Sequence, residues 1–549
     1  MLGDQVIAKI LKAEGVEWMA AFPAQTLIDQ AAREGIRPIL CRQERAGVNM
    51  ADGFSRIKNG KVVGVFTMQT GPGAENAFAG VAQAFADSIP LLLLPGGQPR
   101  SRTQVHPNFE AVPHYKGVTK WCANINLVSR IPELLGMAFS QLKHGRPGPV
   151  LVEIPRDVAM EEFPDSAFNY KPVQPYKSGA NPDDVRDLVT ALLRAACPVI
   201  NAGHGVLWAE ASAELMALAE LTHIPVMTTL AGKSAFPETH RLALGTGANS
   251  GTLMCDHFLK KTDFVLGVGT SFTISTFNAP MPMGVPLAQI TNCPEDLNKD
   301  YRISYGAIGD ARLVLRQVIE EVKQQLGAPG RGDVHGVVDE IQQVKAQFMA
   351  EWSPRLTSNE VPISPYRVFT ELMQAVDVAN TIVTHDSGYP RDQLVPFWPV
   401  VTPRGYIGWG KSTQLGYGLG LALGAKLAAP EKQVINIMGD AAVGMAGMDF
   451  ETASRSHTPI LTVILNNGVM THYNEHMPYA TETWGSNKLG GHYARVAEGL
   501  GAYAEQVRTP DQVAPAIRRA LQANQNGQNA VLEMLTKEEG AVPKYWRGY

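Results

Sequence analysis

The sequence predicts an α/β protein of three doubly wound, parallel-sheet domains. Three observations predict it. First, 549 residues exceed what one hydrophobic core organises and suit about three domains of ~150–200 residues. Second, short β-rich apolar runs end repeatedly in glycine or a small polar residue and pass into helical stretches: KVVGVFTMQTGPG, IPLLLLPGGQ, GPVLVEIP, CPVINAGHG, DFVLGVGTS, NTIVTHDSG, QVINIMGD and ILTVILNNG. That is the rhythm of parallel strands covered by helices. Third, FPDSAFNYKPVQPYKSGANPDD (163–184) and LGAPGRGDVHG (326–336) read as linkers, and SPRLTSNEVPISP marks a further break. The expected domains are therefore 1–165, 183–328 and 360–549. The first and last share a strand-then-glycine style, as one fold used twice would.

Composition narrows the function classes. Hydrophobic residues make up 45% and charged residues 18%, and no run reaches the ~18 apolar residues of a membrane helix. The start, MLGDQVIAKILKAEGVEWM, has helical spacing at Val6, Ile7, Ile10 and Leu11 and stops at Gly15, without the pattern of an export signal. Five cysteines lie far apart with no CxxC pair, which argues for a reducing, cytoplasmic setting and against a structural zinc site. A formal charge of −4 without basic blocks lacks the footprint of a nucleic-acid binder. Small molecules are the expected partners.

Taken in order, the first block offers a short strand, RPILCRQ, that delivers Glu44 to the head of the helix in CRQERAGVNMADGFSR. An acidic residue there commonly answers the helix dipole. Next comes the turn Gly71-Pro72-Gly73, then Asn76 and Asp87 on a helix, Pro90, and the strand leading to Gln98. The middle block carries GHG after a strand, where small residues either admit a nucleotide or allow close helix packing.

The last block holds the most informative segment, GDAAVGMAGMDFETASRSHTPILTVILNNG, from Gly439 to Gly468. Asp440 ends one apolar strand and Asn467 the next, so two oxygen ligands converge at neighbouring strand ends, where ligands of parallel sheets bind. Few, hard oxygen donors beside a small-residue loop suit Mg²⁺ completed by phosphates. The MDFETA helix would turn its N-terminus toward a diphosphate. Either GD or NNG alone is an ordinary turn; at this separation the pair carries more.

Together these segments resemble the thiamine-diphosphate-dependent enzymes, and within them the acetolactate synthases, over nearly the whole chain. The family's Gly-Asp-Gly…Asn-Asn signature matches Gly439, Asp440, Asn466 and Asn467, with Ala441 in place of the second glycine. The resemblance implies a pyrimidine-binding, a central and a diphosphate-binding domain. It implies Asp440, Asn467 and the Val469 carbonyl as Mg²⁺ ligands, with Gly71, Asn76, Gly439, Ala441 and Ala442 also at the cofactor. Glu44 is placed against N1′ of the aminopyrimidine, where a carboxyl group promotes loss of the thiazolium C2 proton. In GYIGWGKSTQLGYGLGLALGAKLA, Leu415 falls at the wedge that bends the cofactor and the Thr413 carbonyl at its amino group.

For the pocket over C2 the resemblance implies Phe109, with Glu110 where the acetolactate synthases carry glutamine. A carboxylate there repels a second 2-oxo acid or serves as an added acid/base. Met470, His472, Tyr473, Asn474 and His476 follow the metal loop, and a His and Tyr pair can relay protons. The tail, with Tyr545, Trp546 and Tyr549, is placed to close over the cleft or to fray. In relatives the central domain holds FAD, ADP or nothing, and the family's aspartate before proline is Cys293 here. The family builds its site between subunits, so a homodimer or homotetramer is implied, Glu44 of one copy serving cofactor held by Asp440 of another.

The expected function is a carboligase or decarboxylase of 2-oxo acids. Oxalyl-CoA decarboxylases and 2-hydroxyacyl-CoA lyases also tolerate a non-glycine after the aspartate, which keeps a thioester lyase open. A non-catalytic cofactor-binding relative is disfavoured by the joint presence of Glu44, Asp440 and Asn467.

Overall fold

In the computed structural model, described over residues 1–549 except 24, 328, 334–335 and 547–549, the chain forms three six-stranded parallel sheets flanked by helices. The first contains β1 (Trp18–Ala21), β2 (Arg37–Leu40), β3 (Gly64–Met68), β4 (Leu91–Gly97), β5 (Trp121–Asn124) and β6 (Val150–Pro155) in the order β2-β1-β3-β4-β6-β5. The second contains β7 (Pro198–Ala202), β8 (Val226–Thr229), β9 (Ala243–Gly247), β10 (Phe264–Val268), β11 (Leu287–Thr291) and β12 (Tyr305–Ile308), ordered β12-β11-β10-β7-β8-β9. The third contains β13 (Thr381–His385), β14 (Tyr406–Ile407), β15 (Gln433–Gly439), β16 (Leu461–Asn466), β17 (Tyr503–Val507) and β18 (Ala530–Leu535), ordered β14-β13-β15-β16-β18-β17. Counted from its own first strand, the third sheet repeats the order of the first. One topology is used twice, around a middle sheet whose order reverses between β7 and β10, the arrangement of dinucleotide-binding folds.

The central strands read as unbroken apolar runs because both faces are covered. β3 and β6 are buried throughout, as are Leu91 to Leu94 of β4. One apolar core fills the outer side of the first sheet, and another spans the middle sheet and the outer side of the third. The remaining core joins the first and third sheets through two helices, Glu44–Ile57 and Tyr417–Ala428. The latter, YGLGLALGAKLA, carries three glycines in its interior, each costing about 1 kcal/mol of intrinsic helix stability relative to alanine. Packing recovers the helix: its small residues let the two backbones touch. At Gly424 an added Cβ would come within 1.9 Å of the Met50 carbonyl oxygen.

Residues 168–181 contain no regular element and run along the first block, where buried Glu14 accepts hydrogen bonds from the Tyr170 hydroxyl (2.5 Å), the Val173 amide (2.9 Å) and Lys143 (2.6 Å). After the second linker, whose residues 328 and 334–335 lie outside the described set, the helix Val337–Leu356 carries the chain to the last block. Phe348 and Trp352 pack there on Phe397. Sequence patterning did not single out this helix. Among the described residues no helix is long and apolar enough to cross a membrane, and all five cysteines are free thiols.

Candidate active site

Parallel pairing sets Gly439 of β15 opposite Leu465 of β16, so Asp440 and Asn467 emerge side by side at the carboxyl ends of adjacent strands. Asp440 is buried and opens the helix Asp440–Ala446. Its Oδ1 accepts from the Ala441 amide (2.8 Å) and its Oδ2 from the Gly468 amide (2.9 Å), which ties strand end to loop. Burial raises this carboxyl above its ordinary range and those amides draw it back. Asn467 accepts from the Val469 amide (3.1 Å) through Oδ1 and donates to Thr471 Oγ1 (2.8 Å). The helix meeting the strand end thus begins at Asp440 itself, while MDFETA forms a 3₁₀ turn and a short helix further on.

These donors fit Mg²⁺. Among the described residues no cluster of three or more His, Cys, Asp or Glu side chains gathers as a metal site. One carboxylate, one amide oxygen and one backbone carbonyl would offer such an ion a hard, sparse oxygen set, to be completed by phosphate and water. Glu533 supports it without having been singled out in the sequence. Fully buried on β18, it accepts from Asn466 Nδ2 (2.7 Å) and the Ala494 amide (3.0 Å), pinning the residue before Asn467.

The loop carrying Thr413 and Leu415 lies beside this group. Gly416 has φ 84°, and a Cβ there would approach the Met445 Cβ to 2.6 Å, so the loop turns directly against the Asp440 helix. Asp386, buried at the end of β13, accepts from the amides of Gly416 and Gly418 (both 2.9 Å) and Ser387 (2.7 Å). It fixes the start of the helix that follows Leu415. Burial raises the Asp386 carboxyl and the three amides oppose that rise. Leu415 is half-buried, and the Thr413 carbonyl accepts from Ser387 Oγ (3.3 Å). The strand-end Asp in NTIVTHDSG was the available signal for Asp386.

A second group is built on the first block. Glu44 begins the helix Glu44–Ile57, is 5% exposed, and accepts from Asn76 Nδ2 at 3.4 Å. Asn76 stands on the helix Pro72–Asp87, capped by Gly71 at φ 70°. Phe109 lies against Gly71, its Cβ 4.0 Å from where a side chain would start, and stacks on His114 at 4.6 Å. Glu110 caps the short helix Ala111–Tyr115, and its carboxylate takes the Gln104 amide. Glu153, buried on β6, accepts from the Ala111 amide (3.0 Å) and Asn124 (3.1 Å), and burial raises its carboxyl. It anchors the Phe109–Glu110 turn from behind.

His472 directly follows Thr471, the residue to which Asn467 donates. Its ring faces Tyr389 (5.6 Å) and Glu475 (3.2 Å), and its amide donates to Glu538 of the tail (3.0 Å). Tyr473 faces His476, their ring centroids 6.1 Å apart. The tail runs on across the molecule: the Ala541 carbonyl accepts from the Tyr366 hydroxyl (2.5 Å), the Pro543 carbonyl accepts from the Gly251 amide (3.0 Å), and Trp546 covers Gly251. Tyr549 lies outside the described residues.

In the middle block a cavity of about 480 Å³ opens at the carboxyl ends of β7 and β10 and reaches both neighbouring blocks. Arg146, Lys411, Lys177 and His204 line it. Burial, with Arg146 and Lys299 nearby, lowers the Lys411 ammonium to about 8; it donates to Ser271 Oγ (2.9 Å). Asp296 is gripped by Arg146 (2.8 and 2.9 Å) and Lys299 (3.0 Å), and Asp310 caps the helix Ala311–Leu326 and pairs with Lys177 (3.0 Å). Cys293 donates to Glu295 (3.1 Å).

Within one chain the two groups are tied at their flanks: Arg45, next to Glu44, donates to the Met445 carbonyl of the Asp440 helix (2.7 Å), and Gln83, on the Asn76 helix, accepts from the Gln414 amide beside Leu415 (3.3 Å). Comparison with known proteins agrees with the two-part construction. Residues 1–119 match the thiamine pyrophosphate enzyme N-terminal TPP binding domain, 185–318 the central domain and 386–534 the C-terminal TPP binding domain. The chain is 30% identical to a probable acetolactate synthase large subunit of Methanocaldococcus jannaschii, covering 96% of this chain and 90% of that one. It is 29% identical to the acetolactate synthase isozyme 3 large subunit of Escherichia coli (100% and 97% covered), and 29% identical to the glyoxylate carboligase of E. coli O157:H7 (93% and 89%). With all three domains matched and near-complete coverage of these relatives, the chain belongs to the thiamine pyrophosphate enzymes, in their acetolactate-synthase-like branch, and is a thiamine-diphosphate-dependent enzyme.

Proposed function

We propose that this enzyme uses thiamine diphosphate and Mg²⁺ to form or break a carbon–carbon bond next to the carbonyl of a 2-oxo acid, as a carboligase or decarboxylase. The observation that carries the reading is the coexistence of a buried Glu44–Asn76 pair and an Asp440–Asn467 oxygen set at strand ends. When bound, the cofactor supplies the electron sink that this bond chemistry needs. The side chains do the rest. Asp440, Asn467 and the Val469 carbonyl would hold the metal, and the backbone of Gly439, Ala441 and Ala442 would lie beside the diphosphate. Glu44 holds a proton at the pyrimidine, with Asn76 orienting its carboxyl group. Leu415 would support the cofactor and the Thr413 carbonyl would take its amino group. Phe109, Glu110 and His472 are the candidates for substrate selection.

Two copies complete the site. The helix bearing Asn76 exposes Phe78 (39%) and Phe85 (42%) on one side, an apolar stripe suited to a partner surface. A homodimer or homotetramer, working in the cytoplasm, follows from this reading. The central cavity suits ADP or FAD in position and in its cations; Asp296 and Asp310 are already paired, so the ribose would rely on other groups.

The test is decarboxylation and ligation by the purified protein with pyruvate, longer and aromatic 2-oxo acids and oxalyl-CoA, with and without thiamine diphosphate and Mg²⁺, beside Glu44→Gln. Cofactor-dependent turnover reduced by about 10²-fold or more in the variant is expected. Turnover confined to oxalyl-CoA would move the assignment to a thioester lyase, and cofactor binding without turnover on any substrate would remove it.

A further inference from the structure

Arg56 is a guanidinium buried to 1% exposure between two carboxylates. Its Nε donates to Asp52 Oδ1 (2.6 Å) and its Nη2 to Asp87 Oδ2 (3.0 Å). The remaining branch leaves the first block: Nη1 donates to the Gly408 carbonyl (2.8 Å). Asp87 crosses the same boundary, both of its oxygens accepting from the Gly410 amide (3.0 and 3.2 Å). Gln83 donates to Asp87 (3.4 Å) and accepts the Gln414 amide (3.3 Å), and the Tyr417 hydroxyl reaches Asp52 (3.5 Å). The backbone from 408 to 414 is therefore gripped at Gly408, Gly410 and Gln414 by side chains of the first block.

The gripped segment is the one that carries Thr413 and Leu415. Beyond it, Gly416 and Gly418 are held by Asp386. Residues 411 to 415 thus hang between two buried carboxylates while their own side chains are half-buried or exposed. Three charges in an apolar core are a poor source of stability, since apolar residues of like volume do as well or better. What such a network provides is a fixed position for the backbone it binds.

We propose that Asp87 and Arg56 are positioning residues for the reaction, holding the 408–414 loop so that Leu415 and the Thr413 carbonyl meet the cofactor at the height that brings its amino group to C2. This rests on the function proposed above. Two readouts test it on the full-length protein. Amide hydrogen exchange of the 408–416 peptide, followed by mass spectrometry without cofactor, is expected to rise about tenfold in Asp87→Asn. Exchange of the cofactor C2 proton in the loaded variant is expected to fall about tenfold, with thiamine diphosphate affinity within about threefold of wild type. Gln83→Met, which leaves the charges intact, is expected to shift both readouts in the same direction by a smaller factor, and it serves if Asp87→Asn does not fold.

An unchanged loop, or a loosened loop with unchanged C2 exchange, overturns the proposal. So does a loss of cofactor affinity with normal C2 exchange in the bound fraction, which marks a merely structural role. If wild-type protein binds thiamine diphosphate without accelerating C2 exchange, the proposed function fails and this inference with it; acceleration in wild type that Asp87→Asn fully retains sinks the inference alone.

Discussion

Gly424 touches Met50 so closely that a Cβ at 424 would sit 1.9 Å from the Met50 carbonyl oxygen. The contact lies where the helix Tyr417–Ala428 crosses Glu44–Ile57, and it binds the first and third sheets into one core. The helix that begins with the Glu44 carboxylate and the helix that follows Leu415 are therefore packed backbone against backbone.

That contact reverses the usual sign of a helix substitution. On an exposed helix Gly→Ala gains about 1 kcal/mol, whereas Gly424→Ala should lose about 3 kcal/mol or more because the backbones must part. Urea unfolding measures it. Unchanged or increased stability would show that the helices can separate without cost.

Asn76 is the side chain that reaches the Glu44 carboxylate, at 3.4 Å. Asn76→Ala should lower kcat about tenfold while thiamine diphosphate affinity stays within about threefold, the loss of one hydrogen bond to a charged group. A variant with weakened cofactor affinity and normal kcat would assign Asn76 to binding instead.

Asp440 supplies the one carboxylate of the proposed metal set. Asp440→Ala should weaken Mg²⁺-dependent cofactor affinity by at least about 100-fold, and EDTA should do the same to wild type. Isothermal titration with thiamine diphosphate in the presence and absence of Mg²⁺ reads both. Affinity indifferent to metal would refute the assignment.

Asp449 gives a pH signature. Burial pushes its carboxyl up to about 6 from an ordinary 3.8; Oδ1 accepts from the Arg42 amide and Thr452 hydroxyl (both 2.8 Å), and Oδ2 has no partner among the described residues. Since the native pKa lies above the unfolded one, the folded chain holds this proton more tightly, and the group's contribution to stability falls as pH rises through that window. Asp449→Asn removes the effect. Its stability relative to wild type should climb by about 1–3 kcal/mol between pH 4 and 6 and level off above. A difference independent of pH would show that Asp449 does not titrate there.

Much of the molecule was legible in the sequence because it is written locally. A buried parallel strand is an apolar run over a few neighbouring residues, and its end is marked by the glycine or polar residue that follows, so Leu91 to Leu94, Asp440 and Asn467 announce their places. Glu44 was readable as a helix start for the same reason. The helix Val337–Leu356 was harder, because it sits between a linker and a proline-rich break and two of its apolar residues, Phe348 and Trp352, find ring partners in Phe397 and Tyr366 of the last block.

The alignment of the parts belonged to the tertiary structure alone. Nothing near Asp87 in the chain says that its carboxylate will take the amide of Gly410, or near Asp386 that it will cap the helix after Leu415. Nor does YGLGLALGAKLA, taken by itself, favour a helix; it becomes one where Met50 and its neighbours leave no room for larger side chains. Periodicity and turn chemistry act between residues a few positions apart, so the sequence by itself determined the strands, the strand-end residues and the class of fold. Hydrogen bonds to backbone amides and contact between helix backbones depend on distances across three sheets, and these are settled only when burial brings segments hundreds of residues apart to the same place.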